Sequence, residues 1–236
     1  MLTINFDRLN IRPGDRILDI GCGEGRHTIK ACQQKDTRCV GADFGFDPLV
    51  QTQEKLAYHR ALNDLNCKTV DLSCMDVTNL PFKDNSFDVV ICSEVLEHIP
   101  DDAKAISELV RITKPGKTLT VSVPRFWPEK ICWALSDDYF NANMGHVRIY
   151  KKKPLIQAIE SANVRYLGSH YAHSIHAPYW WLKCLVGPNR TDSLPVNLYH
   201  RMLVWDLMEH PRITAFVDRL LNPVSGKSLV LYFQKP

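Results

Sequence analysis

Arg16-Ile17-Leu18-Asp19-Ile20-Gly21-Cys22-Gly23-Glu24-Gly25 decides how the chain is read. The turn Arg12-Pro13-Gly14-Asp15 launches a short apolar run that suits a buried strand, and the run breaks into alternating glycines before a helix-like stretch reaching about Gln34. A β-carbon in that bend would collide with any ligand lying across it. The helix behind the bend offers unpaired amides and a positive dipole end, which favour a negative or electron-rich ligand group. A plain tight turn and a dinucleotide site are the alternatives. A dinucleotide fingerprint, G-x-G-x-x-G, would need its third glycine at position 26, where this chain has Arg26.

Working outward, short apolar runs alternate with helix-like stretches, which predicts parallel strands joined by crossover helices in a doubly wound α/β sheet. Strands are expected at Arg38 to Ala42, Lys68 to Leu72, Phe87 to Cys92 and Thr118 to Val123. Helices are expected near Pro48 to Leu65 and Asp102 to Thr113, with a turn at Lys114-Pro115-Gly116. After Pro124 the rhythm breaks. Residues 125–150 and 174–226 read as irregular, separated by a helix near Pro154 to Ala162 and a strand at Arg165 to His170. Within the second irregular region Leu198, Met202, Trp205 and Met208 share one helical face, and Pro211 ends that helix. Ser228 to Phe233 closes the chain as a strand.

Asp43 ends the second strand about twenty residues beyond the glycine loop, at the carboxyl edge where such sheets bind ligands. A carboxylate there can accept both hydroxyls of a ribose, although Phe44-Gly45 also suits a helix cap or turn. Asp76 follows the third strand and suits either a ligand contact or a surface turn. The run Leu80-Pro81-Phe82 to Phe87-Asp88-Val89-Val90 continues through Ser93-Glu94-Val95-Leu96-Glu97-His98 to Arg111-Ile112-Thr113-Lys114-Pro115-Gly116.

With the loop D-x-G-x-G-x-G, this text resembles the small-molecule branch of the class I S-adenosylmethionine-dependent methyltransferases, of the type 11-like kind. The likeness is strong over about 9–123, loose over 145–170 and absent over 174–226. It implies a seven-stranded Rossmann-like sheet, six strands parallel and the last antiparallel, and S-adenosyl-L-methionine as cofactor. The cofactor-binding residues it implies are Asp19, Gly21, Cys22, Gly23 and Gly25 for the methionine part, Asp43 for the ribose, Phe44, Asp76 and Val77 for the adenine, and Ser93. Lys117 departs from the pattern, which often has a second glycine there.

Methyl transfer is an in-line displacement, so alignment supplies much of the rate, and a base is needed only where the acceptor must lose a proton. His146 is the candidate base, with Glu94 behind it; His98 is a candidate that equally suits a structural role. His170, His173 and His176 tempt a metal reading, but neither strand nor helix spacing gathers them, and no metal is expected. Too few residues precede the first strand for N-terminal helices to cover the site. The expected cover is therefore 125–150 and 174–226, read as helical insertions in a single domain of residues 1–236 although no regular rhythm runs through them. Their aromatics, Phe126, Trp127, Trp133, Tyr139, Phe140, Tyr179, Trp180 and Trp181, suit an apolar pocket, a membrane interface or a local core.

A formal net charge of +3 gives no electrostatic footprint for nucleic acid, and neither N-P-P-Y, D-P-P-Y nor Pro-Cys follows the fourth strand. Eight cysteines without a C-x-x-C pair, and no leader-like or 18-residue apolar segment, predict a reduced, cytoplasmic protein without a transmembrane segment, though peripheral membrane contact stays open. The acceptor is expected to be small and apolar or amphipathic, methylated on oxygen. The alternatives are carbon methylation of a quinone or lipid-like acceptor, a cofactor-binding protein without catalysis, and a dehydrogenase. Oligomeric state is not legible in the sequence.

Overall fold

A computed structural model describes residues 2–136, 138–139, 146–209 and 211–236. Phe140, one of the aromatics singled out above, lies outside the described residues. Seven strands form one sheet: β1 (Arg16–Ile20), β2 (Arg38–Asp43), β3 (Thr69–Cys74), β4 (Phe87–Ser93), β5 (Thr113–Pro124), β6 (Arg165–Ala172) and β7 (Ser228–Gln234), in the order β3-β2-β1-β4-β5-β7-β6. β7 runs antiparallel to both neighbours and the other pairs are parallel. This is the predicted doubly wound α/β architecture.

The strands alternate their side chains between two apolar layers. Leu18, Ile20 and Val90 face one core with Leu109 of helix α3 (Asp102–Ile112) and Leu155 of α5 (Lys152–Glu160). Ile17, Val89 and Ile91 face the other, with Ile29 of α1 (Arg26–Cys32) and Leu56 of α2 (Phe46–Ala61). Every residue of β4 is buried, as expected of a parallel strand covered on both faces.

Two sequence expectations need correcting. Lys114-Pro115-Gly116 does not separate helix from strand, because β5 already begins at Thr113; Gly116 takes φ 73° and donates its amide to the Lys235 carbonyl at 2.8 Å. Lys117 proves structural: its ammonium lies 2.9 Å from both Asp15 and Asp88, tying the start of β1 to β4. The second correction concerns the rhythm of 174–226, which is not irregular: α6 (Ala177–Val186), α7 (Leu194–Glu209) and α8 (Arg212–Ser225) fill it as regular helices, and α4 (Phe126–Leu135) opens the earlier region. Pro178 and Pro195 stand in the first turns of their helices, and Pro211, beyond the end of α7 as expected, is also the N-cap of α8.

α4 and α6 pack on each other through Trp127 and Trp181, whose ring centroids are 5.4 Å apart, and Trp181 donates to the Pro128 carbonyl at 3.1 Å. Cys132, Tyr139 and Cys184 are buried there with Trp133 and Trp180 against them. The aromatics of the two regions thus form a third, local core.

Candidate active site

The carboxyl ends of β1, β2 and β4 bring the glycine loop, Asp43 and Glu94 together. Gly21 and Gly23 both take positive φ, 69° and 53°. At Gly21 the reason for glycine is internal, since an added β-carbon would lie 2.1 Å from Val95 Cγ2. At Gly23 an added β-carbon would meet nothing within 4 Å, so the loop keeps open space there. The ligand argument from sequence therefore holds for Gly23 and not for Gly21. Gly25 caps α1 and faces Thr52.

Asp43 is held by backbone: Gly23 donates to one carboxylate oxygen at 2.8 Å and Gly45 to the other at 2.9 Å. Each oxygen keeps a lone pair for a further donor, so the turn role and a ligand role coexist. Asp76 receives the Thr78 amide and hydroxyl on one oxygen, both at 2.8 Å. Asp19 lies beneath the loop, buried. One of its oxygens accepts from Thr28 at 2.7 Å, while the other has no hydrogen-bond partner among the described residues. Burial, only partly offset by the Thr28 bond, pushes its carboxyl up to about 6. The buried Cys22 thiol is pushed up to about 12 by the same cause, which leaves it unreactive.

Two cavities meet at Gly21, Gly23 and Glu94. One, of about 700 Å³, is lined by Asp43, Phe44, Asp76, Val77 and His98. The other, of about 1000 Å³, is lined by Cys22, Arg26, His27 and Ser93. Phe44 is 82% exposed at the first, a flat apolar surface left for a partner. The aromatics of α4 and α6 line neither cavity. His170, His173 and His176 lie away from both; His170 and His173 contact Thr3 instead, at 3.3 and 3.1 Å.

Glu94 follows β4 in the left-handed region, φ 57°, an uncommon place for a side chain that can mark a functional constraint. Ser122 donates to Glu94 at 2.9 Å and lies 2.8 Å from the Ser93 hydroxyl. Burial raises the Glu94 carboxyl, with Lys227 pulling the other way. Glu97 is 1% exposed, and neither of its oxygens has a hydrogen-bond partner among the described residues. Burial first, and then the Glu94 charge, hold it well above the ordinary range.

The segment after residue 145 is strapped over this loop. Val147 donates to the Glu97 carbonyl at 2.9 Å, Arg148 donates to the Pro100 carbonyl at 2.6 Å, and the Tyr150 hydroxyl donates to Asp102. The strap sets His146 against His98, ring centroids 4.7 Å apart. His146 Nδ1 lies 2.9 Å from Glu129 Oε1, and Trp133 donates to the same oxygen at 3.2 Å. Because a carboxylate accepts, Nδ1 carries the hydrogen, and Nε2 keeps its lone pair.

Of the residues expected at the site, Gly21, Cys22, Gly23, Asp43, Phe44, Asp76, Val77, Ser93, Glu94 and His98 line one cavity or the other, while Asp19, Gly25 and His146 line neither, His146 standing behind His98. Glu97 and Glu129 carry no role in the sequence reading. Their signal is an acid inside an apolar stretch, Val95-Leu96-Glu97 and Phe126-Trp127-Pro128-Glu129.

A methyltransferase domain family matches residues 18–121. The demethylmenaquinone methyltransferase of Corynebacterium urealyticum is 35% identical over 115 residues, 49% of this chain and 44% of that protein. The ubiquinone biosynthesis O-methyltransferase of Hahella chejuensis is 34% identical over 137 residues, 57% of this chain and 54% of that protein. The chain therefore spans about half the length of these relatives. An S-adenosylmethionine-dependent methyltransferase from Methanosarcina mazei superposes with a TM-score of 0.63, covering 99% of both chains at 16% identity, a likeness of fold. No helix among the described residues is long and apolar enough to cross a membrane.

Proposed function

We propose that the protein is a class I S-adenosylmethionine-dependent methyltransferase, a reading supported by the match of residues 18–121 to a methyltransferase domain family, and that it methylates a hydroxyl of a small amphipathic acceptor. The residues fit the cofactor. Open space at Gly23 admits a chain across the loop, and the unpartnered Asp19 oxygen awaits a donor such as an amino group. Asp43 presents spare lone pairs for a ribose diol, and Asp76 and Phe44 stand where an adenine would meet an acceptor and a flat apolar face.

When bound, the cofactor supplies an electrophilic methyl carbon, whose bond to sulfur breaks with the electron pair left on sulfur. The protein's own part is positioning, exclusion of water and removal of the acceptor's proton. The single observation that carries the oxygen reading is the polar cluster of Glu97, His98 and His146, with Glu94 near it, beside an otherwise largely apolar cavity. A tertiary-amine acceptor has no proton to lose and no use for these groups, whereas a hydroxyl must lose one; a ring carbon loses one as well, so the products decide between those two. In this reading His146 takes the proton, held in one tautomer by Glu129.

An amphipathic acceptor is supported by α8, where Ile213, Phe216, Leu220 and Val224 stand between 64 and 69% exposed at helical spacing. That stripe suits contact with a bilayer or another source of lipid-like molecules. Methylation of a ring carbon is the second reading, supported by the likeness to a demethylmenaquinone methyltransferase. The test is transfer of labelled methyl from S-adenosylmethionine to a panel of alkylated catechols, quinols and aliphatic alcohols, with products identified by mass spectrometry and NMR. O-methyl products are expected, with His146→Ala lowering kcat by about 10²–10⁴ at unchanged cofactor affinity. Products methylated only on carbon would overturn the oxygen reading.

A further inference from the structure

We propose that Glu97, His98 and His146, with Glu94 beside them, form a site for one divalent first-row transition-metal cation at the rim of the cofactor cavity. Its use, though not its existence, rests on the hydroxyl-transfer reading above.

A carboxylate oxygen of Glu97 and one ring nitrogen each of His98 and His146 lie within 4.8 Å of one another. Ligands at roughly 2.1 Å from one ion are spaced roughly 3–3.5 Å apart, so the set closes with side-chain shifts of about 1 Å. Glu97 points to what is absent from the cluster. It is 1% exposed, both its oxygens lack a hydrogen-bond partner among the described residues, and His98 Nε2 stands 4.0 Å away, beyond bonding reach. A carboxylate so placed is ordinarily paired or bound to a cation. Lys227 does not serve, since its ammonium lies over the Trp180 ring and makes no hydrogen bond to Glu97.

His146 is prepared as a ligand. His146 gives Nδ1 to the buried Glu129, which Trp133 fixes in turn, so that Nε2 is left with its lone pair. This carboxylate–histidine arrangement is the usual support behind a metal-ligating imidazole. The Val147–Glu97 backbone bond, at 2.9 Å, holds the strap and the Glu97 loop in register, so the site joins two segments distant in sequence. Two imidazoles and one or two carboxylates suit manganese, iron(II), cobalt, nickel or zinc better than calcium.

Positions left open toward the cavity would take the acceptor's hydroxyl and lower its proton affinity. The hydroxyl proton then leaves to water, the oxygen bonds to the methyl carbon, and the carbon–sulfur bond breaks with its electron pair kept on sulfur. With the ion bound, His146 serves as ligand and water takes the proton that His146 takes in the ion-free reading above.

The experiment is calorimetric titration of chelator-treated, full-length protein with Mn²⁺, Co²⁺, Ni²⁺ and Zn²⁺, with the visible absorption of the Co²⁺ form as a second readout. One ion per chain is expected. Glu97→Gln and His98→Ala should each weaken binding by more than about tenfold, and Glu129→Gln by about 10–100-fold. Binding of S-adenosylhomocysteine should persist in all three, which reports that they fold. No uptake of any of the four ions, or variants that bind them as wild type does, overturns the site. Methyl transfer that chelation leaves unchanged, with no ion bound, also overturns it and leaves the hydroxyl reading standing. Ion binding with no transfer to any hydroxyl in the panel overturns the hydroxyl reading and leaves the ion site standing.

Discussion

Asp43 and Asp76, between Arg16 and Pro124, lean on backbone amides, whereas His146 and Ser174, between Phe126 and Ser225, lean on other side chains. Asp43 receives two loop amides, and Asp76 receives the Thr78 amide beside that residue's hydroxyl. In the later region His146 leans on Glu129 and Trp133, and Ser174 donates to Asp218 at 2.8 Å. Backbone amides survive changes of side chain, so the first arrangement persists wherever the sheet and its bend persist. The second depends on the identity of each partner. That difference matches the extent of the family likeness, which runs from 18 to 121 and stops. It also divides the labour proposed here, cofactor binding in the first region and acceptor chemistry leaning on the second.

The sharpest way to break the comparison is a pair of glycine substitutions. Gly21→Ala places a β-carbon 2.1 Å from Val95 Cγ2 at φ 69°. It should destabilise the fold by about 3 kcal/mol and abolish binding of S-adenosylhomocysteine. Gly187→Ala, at φ 107° after α6, meets only Arg190 Cβ at 3.9 Å and should cost about 1 kcal/mol with binding intact. Urea unfolding and calorimetry measure both. Equal losses of stability would erase the distinction between a close-packed bend and a loosely built cover. Next in size is Asp43→Ala, expected to weaken S-adenosylhomocysteine by about 1.5–3 kcal/mol, as for a lost charged hydrogen bond. Unchanged affinity would remove Asp43 from the ribose role.

Two buried groups near the loop give pH effects of opposite sign. Asp19 titrates at 3.8 when unfolded and about 6 when folded. The folded state therefore binds its proton more tightly, and stability rises by about 1.4 kcal/mol as pH falls from 7 to 5. His27 accepts the Thr3 and Ile4 amides at 3.2 and 3.3 Å, and burial pushes it from 6.5 down to about 3. The unfolded chain takes that proton first, so stability falls by about 2 kcal/mol over the same interval. In the wild type the two nearly cancel. Asp19→Asn removes the first and should leave a loss of about 2 kcal/mol between pH 7 and 5, read by urea unfolding at each pH. A variant that tracks the wild type would show that Asp19 is not desolvated as described.

The same division explains what could be read in advance. β1 and β4 are short apolar runs covered on both faces, so their type and limits stand out at Arg16–Ile20 and near Phe87. Asp43 and Asp76 follow from strand ends, because the first closes β2 and the second follows β3. In α6, by contrast, Tyr179, Trp180, Trp181 and Leu182 stand in succession, which blurs a 3.6-residue period. Pro211 shows in the sequence as an ending and not as the start of α8. Glu129 and Glu97 stayed hidden for a different reason: their meaning depends on a strap, 146–150, laid across Glu97 and Pro100 by contacts that sequence spacing does not encode.

The smallest expected change in stability belongs to α8. Phe216 and Leu220 are 65 and 64% exposed, so aspartate at both should shift unfolding by no more than about 0.5 kcal/mol each. The opposite side of the helix is fixed through Asp218 and Asn222, which accept from Ser174, and is untouched by the change. A stripe of this kind loses little in the monomer when made acidic but loses its attraction for an apolar surface. Sedimentation with vesicles of anionic and zwitterionic lipid is expected to bring down the wild type and not Phe216→Asp/Leu220→Asp, while both bind S-adenosylhomocysteine equally. If neither protein sediments, the stripe serves no bilayer, and the acceptor must reach the cavity from solution.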